Sequence, residues 1–121
     1  MPTKKPSSTK DISPDHYFFR VYDVTRLIPI GRVTNYGAIA DFLALGSARM
    51  VGWALNHCHQ GGENIPAHRV VNRLGELSGR MHFAYPTLMQ ERLEAEGIKV
   101  ENNKVVQMEK VFWHPRELDN Y

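Results

Sequence analysis

The junction Gly46-Ser47 constrains the fold of this chain most. Glycine ends helices because it accepts left-handed backbone. Serine starts them because its hydroxyl accepts a bond from the unpaired amides of the first turn. Side by side, the two residues predict helices joined by almost no linker, which is a helix-turn-helix. The upstream helix is predicted from Thr34 or Asn35, both good caps, to about Leu45. Gly37 inside it costs some stability. The downstream helix is predicted from Ser47 to about Cys58. Helical spacing puts Val51, Ala54, Leu55 and Cys58 on one face and Arg49, Gly52, Trp53 and Asn56 on the other.

Around this pair the pattern is mixed. Asp15 to Ile28 carries Phe18, Val21, Tyr22 and Ile28 on one side, the periodicity of a half-buried helix. Ser13-Pro14 opens it and Pro29 closes it. Ile30 to Val33 reads as a turn, and Gln60-Gly61-Gly62-Glu63-Asn64 as a loop. Ile65 to Val71 begins irregular and ends strand-like at two β-branched valines. Asn72 to Arg80 is turn-rich. Pro86 opens a helix carrying Leu88, Met89, Leu93 and Ala95, which Gly97 terminates. Residues 98–100 and 104–106 flank Glu101-Asn102-Asn103 as a hairpin. The expected fold class is mostly α with a two- or three-strand β wing, a winged helix-turn-helix. Residues 1–12 and 116–121 are expected to be tails around one domain at 13–115.

Composition narrows the function. At 121 residues and 42% hydrophobic, the chain supports one modest core. The net charge of +2 permits a small nucleic-acid interface without predicting one. Lys4, Lys5 and Lys10 sit in a proline-containing segment that reads as a solvated tail. No apolar run is long enough to span a membrane, and no signal-peptide core is present. The single cysteine, Cys58, excludes an intrachain disulfide. Cys58 lies between His57 and His59, but adjacent residues rarely point at one ion and no second cluster has ligand spacing, so no metal or cofactor is expected. A soluble intracellular monomer is the expectation: cytoplasmic, with the nucleoid, in a bacterium, or nuclear in a eukaryote.

Pro66-Ala67-His68-Arg69-Val70-Val71 resembles the active-site segment of the O6-methylguanine-DNA methyltransferase family, in which cysteine occupies the second position. The resemblance extends outward. Val33 to Ala40 is similar to the family's first DNA-binding helix, and Ala48 to Leu55 to its recognition helix. Asn72 to Ser78 is similar to the turn after the active site, and Arg92 to Ile98 to the closing helix. The blocks run in family order from about Asp15 to Pro115. The lack of a separate N-terminal domain, together with Val111-Phe112-Trp113-His114-Pro115, resembles the alkyltransferase-like branch, whose members are short and lack the cysteine. Many of them carry tryptophan where this chain has Ala67, and alanine implies a roomier pocket.

The resemblance implies roles. Alkyl transfer to protein needs a thiolate made nucleophilic by a nearby base, and the methyl group of Ala67 cannot accept an alkyl group. His68 maps to that base and Glu96 to its partner; with no sulfur to activate, both are expected to persist as hydrogen-bonded structure. Arg69 is expected to hold the loop. The DNA-binding set is Thr34, Tyr36, Ala48, Arg49, Gly52 and Trp53. Arg49 would fill the gap left by a flipped nucleotide, since a flat cation stacks on bases and donates to the orphaned partner. Tyr36 would help rotate the target out. Gly52 would let the helix approach the sugar-phosphate backbone. Trp53 would pack beside a sugar or cover Arg49. The lesion pocket is expected from Tyr36, Leu55, Ala67, Val70 and Arg80, with the Arg80 guanidinium against the purine.

The implied function is recognition without repair. Duplex DNA binds through its minor groove, O6-alkylguanine is flipped into the pocket, the bent DNA is a signal, and nucleotide excision repair proteins take over. Two rivals stand beside it. One is an active methyltransferase using Cys58, or a hydrolase using water activated by His68. The other is a winged-helix transcription regulator that reads a fixed sequence.

Overall fold

The computed structural model describes residues 14–58 and 64–120. The expected N-terminal tail, the Ser13 cap, His59 and the loop at Gln60-Gly61-Gly62-Glu63 lie outside the described residues. Among the described residues, five helices and two short sheets follow in order: α1 (Pro14–Arg26), β1 (Thr34–Asn35), α2 (Tyr36–Phe42), α3 (Ala48–Asn56), β2 (Val70–Val71), α4 (Leu88–Ala95), β3 (Val100–Glu101), β4 (Lys104–Val105) and α5 (Met108–Val111). Turns of 3-10 helix occupy Ala67–Arg69, Arg80–His82 and Pro115–Asn120. The mostly helical fold with a small β wing is as expected from the sequence.

The helix-turn-helix is present, but its turn is built differently from the expectation. α2 ends at Phe42, and Ala44, not Gly46, takes the left-handed conformation, at φ 57°. The amide of Leu45 bonds back to the Ala40 carbonyl at 2.9 Å and that of Ala44 to Asp41 at 3.2 Å. This is a Schellman closure, which returns the chain so that Leu45 packs on the core. Burial of Leu45 outweighs the strain of a left-handed alanine. Gly46 is left as an ordinary residue of a longer linker.

At its other end α2 is capped by Asn35, whose Oδ1 accepts from the Ala38 amide at 2.7 Å. Thr34 does not cap. It belongs to β1, which runs parallel to β2 with Thr34 opposite Val70 and Asn35 opposite Val71. This pair lies at the seam of two cores. Val70 joins Val21, Ile28, Ile39, Val51, Ala54 and Trp113 beneath the helix-turn-helix. Val71 and Val33 join Leu77, Met89, Leu93, Ile98, Val100 and Val105 beneath the wing. Alternation along a two-residue strand is enough to send neighbouring valines into different cores. The segment that carries Ala67 and His68 is thereby held from both sides.

The wing is the hairpin β3–β4, with Val100 opposite Val105. Asn102 and Asn103 form its two-residue turn, both left-handed, the geometry that matches strand twist and that asparagine tolerates. Glu76 bridges to Lys104, so the turn after β2 lies along the hairpin edge. The tail expected at 116–121 is folded through Leu118, which packs on the first core, while Glu117 meets the Arg32 guanidinium at 3.5 Å. The sequence pattern also missed α5. No described helix is long and apolar enough to cross a membrane.

Candidate nucleic-acid interface

α3 presents Arg49, Gly52, Trp53 and Asn56 along one side of an open groove of about 680 Å³. Tyr36 and Ala48 continue that wall, and Ser78, Gly79 and His82 form the opposite one. The helical spacing seen in the sequence therefore places the expected residues together. Arg49 and Ala48 are exposed, and Trp53 is 57% exposed, unusual for an indole. Gly52 leaves room over Tyr36: a Cβ there would sit 3.9 Å from the ring, an ordinary contact. The fold therefore does not require a glycine at this position.

Tyr36 closes the floor of the groove. Its hydroxyl is hydrogen-bonded to the Ser78 side chain, and burial outweighs that bond and holds the phenol above its ordinary pKa, so it stays a neutral donor. A Cβ on Gly79 would come within 3.0 Å of the Tyr36 hydroxyl. A side chain at residue 79 would therefore need the Tyr36 hydroxyl to give by a few tenths of an ångström.

Behind Tyr36 lies a small cavity of about 20 Å³ bounded by Leu55, Asn56, Ala67, Gly79, His82, Phe83 and Met89. That is space for about one water and far less than a purine. Past Ala67, His82 and Phe83, which wall both spaces, is a larger chamber of about 360 Å³. The roomier pocket expected from alanine is thus divided, with Ala67 at the partition.

Two expected pocket residues lie elsewhere. Val70 is 1% exposed in the first core, because strand alternation points it under α3. Arg80 donates to the Leu77 carbonyl at 3.1 Å and borders none of these spaces; the 3-10 turn brings His82 and Phe83 there instead. Thr34, expected at the DNA, is fully buried, with no hydrogen-bond partner for its hydroxyl among the described residues. Its strand pairing keeps it inside.

Beside Ala67 is a compact polar network. His68 Nε2 lies 2.7 Å from Glu96 Oε2. Arg69 donates to the same carboxylate through Nε at 3.0 Å and its terminal nitrogen at 2.8 Å, and to the Ile28 carbonyl at 2.9 Å. The Gly31 amide adds a bond to Glu96 at 3.2 Å. Glu96 is delivered by the end of α4, where Gly97 turns left-handed at φ 88° and the Ile98 amide bonds back to Leu93. Burial opposes the charge on Glu96, but the bonds from Arg69, His68 and Gly31 overcome it and bring its pKa down to about 2. For His68, burial outweighs the pull of Glu96 and lowers the imidazole pKa. The pair is therefore a neutral imidazole donating Nε2–H to a carboxylate, not an ion pair. That tautomer leaves Nδ1 a proton acceptor, buried and without a partner among the described residues.

Cys58 is 3% exposed and lines the same chamber as Ala67, which its sequence position did not indicate. Burial pushes its thiol pKa up, the opposite of what a nucleophile needs. His57 is engaged by α1, stacking on Phe18 at 5.5 Å. No group of three metal-ligating side chains occurs among the described residues.

Fold and site together define a winged helix-turn-helix domain with an open groove along its second helix and a divided cavity behind Tyr36. Residues 16–98 match the family model of the 6-O-methylguanine DNA methyltransferase DNA-binding domain. The chain belongs to that family and is of its alkyltransferase-like kind. It is 39% identical over 87 residues to alkyltransferase-like protein 1 of Schizosaccharomyces pombe, covering 71% of this chain and 80% of that protein. It is 33% identical over 114 residues to a DNA base-flipping protein of Escherichia coli, covering 92% and 84% respectively. The crystal structure of S. pombe Atl1 in complex with damaged DNA containing O6-carboxymethylguanine superposes with a TM-score of 0.73 at 33% identity, covering 84% of this chain and 97% of that one.

Proposed function

We propose that this protein binds duplex DNA in the minor groove, flips O6-alkylguanine out of the stack and holds it without removing the alkyl group. The observation that carries the reading is His68 Nδ1: a buried ring nitrogen beside Ala67 with no hydrogen-bond partner among the described residues. The base of a transfer reaction is in place and the nucleophile is not.

In this reading Arg49 enters the stack from the exposed face of α3, and Tyr36 meets the target phosphate. Gly52 admits the DNA backbone, with Trp53 against a neighbouring sugar. Opening requires the Tyr36–Ser78 bond to break and the turn carrying Gly79, His82 and Phe83 to move, since the resting cavity is too small. Unstacking costs about a few kcal/mol and is least for a weakly paired, damaged base, which favours lesions. The protein acts as a monomer, located with the chromosome in nucleoid or nucleus, and its bent complex is the signal for nucleotide excision repair.

Fluorescence anisotropy on matched duplexes tests the reading. Wild type is expected to prefer O6-methylguanine over guanine, and Arg49→Ala to weaken lesion binding severalfold. Equal affinity for both duplexes overturns it. A preference for one fixed sequence, indifferent to alkylation, would instead mark a transcription regulator.

A further inference from the structure

We propose that the chamber behind Ala67 receives O6 substituents that end in an anionic group, and that Arg92 selects them. This rests on the lesion-binding reading above and names the class of lesion within it. Ala67, His82 and Phe83 wall both the small cavity behind Tyr36 and the chamber of about 360 Å³. A purine whose O6 faces residue 67 directs its substituent at this partition, where alanine presents only a methyl group.

The chamber is not uniformly apolar. Ile65, Phe83 and Leu88 give it hydrocarbon surface, and Arg92 gives it a cation. The Arg92 guanidinium is held over the Phe83 ring at 5.9 Å, which fixes its place on the wall without using its hydrogen-bond donors. Among the described residues no carboxylate forms an ion pair with it, whereas Arg69 on the neighbouring segment is fully engaged by Glu96. A neutral substituent gains the apolar wall alone. A carboxylate would be costly to bury unpaired, and Arg92 offers a planar, two-donor partner for it.

The test compares binding of the full chain to matched duplexes containing O6-methylguanine, O6-carboxymethylguanine and its neutral isostere O6-(carbamoylmethyl)guanine. Wild type is expected to bind the acid about tenfold more tightly than the amide, the size of one charge-assisted hydrogen-bonded pair. Arg92→Met should equalise the two, while Arg92→Lys should keep part of the preference. Comparing acid with amide on each variant removes any general contribution of Arg92 to DNA affinity. Equal binding of acid and amide by wild type, or a preference that survives in Arg92→Met, overturns the assignment. If O6-methylguanine is still preferred over guanine in that event, only the role of Arg92 falls; if it is not, lesion recognition falls with it.

Discussion

Substituting Glu96 with glutamine should destabilise the fold by about 3 kcal/mol at neutral pH. The side chain keeps its size and loses its charge. Its carboxylate is the meeting point of Arg69, His68 and Gly31, and its side chain is only 13% exposed, as is that of Arg69. The drop from an ordinary 4.5 to about 2 is equivalent to about 3 kcal/mol of preference for the charged form. Breaking one partner of a buried pair costs a similar amount, because the Arg69 cation stays behind with neutral acceptors and no counter-charge. In a domain of this size about 1 kcal/mol moves the midpoint by roughly 4 °C, so calorimetry at pH 7 should show a loss of about 12 °C. The gap should depend on pH in one direction. The folded pKa lies below the unfolded one, so the contribution is complete above 4.5 and fades as the pH falls towards 2. Wild type and variant should therefore converge in acid. A midpoint within about 3 °C of wild type at pH 7, or a gap that stays constant into acid, would refute the reasoning.

Other perturbations separate stability from binding. Gly52→Ala meets Tyr36 only at ordinary contact distance, so it should stabilise α3 by about 0.5–1 kcal/mol in thermal melts yet weaken lesion binding in anisotropy; unchanged affinity would mean DNA does not approach there. Gly79→Ala presses on the Tyr36 hydroxyl at 3.0 Å and should weaken the Tyr36–Ser78 bond, read as faster hydrogen exchange at residues 78–83. Asn35→Ala should cost about 1 kcal/mol by removing the cap on the Ala38 amide, measured by urea denaturation. Because burial holds the His68 imidazole below its ordinary value of 6.5, the fold favours the neutral ring, and stability should begin to fall as the pH drops below 6.5. A His68→Gln variant should lose that first phase and keep the Glu96 phase.

Much of the interface was legible because it rests on helical periodicity. Arg49, Gly52 and Trp53 share a face of α3 by spacing alone, and the groove assembles around them. The wing hairpin was legible from Asn102-Asn103, residues that tolerate left-handed backbone. What failed depended on contacts between segments distant in sequence. Thr34 and Asn35 are both good caps in isolation, and only the pairing of Thr34 with Val70 decides between them. Gly46 is the better helix stop locally, yet Ala44 does the work because Leu45 reaches the core. His82, Phe83 and Arg92 carry no periodic signal, since a 3-10 turn and a helix edge aim them at Ala67 only once the fold exists. Arg80, expected against the purine, is turned back on the Leu77 carbonyl by its own 3-10 turn, a local contact that the sequence pattern did not show.

Methyl-labelled O6-methylguanine duplex, incubated with excess protein and then resolved into protein and DNA fractions, probes the missing nucleophile directly. All label should remain on guanine while the complex forms, and Ala67→Cys, tested beside it, should begin to draw label onto the polypeptide through the waiting His68 base. Label on the unmodified chain, at Cys58 or elsewhere, or its release as methanol, would contradict capture without repair.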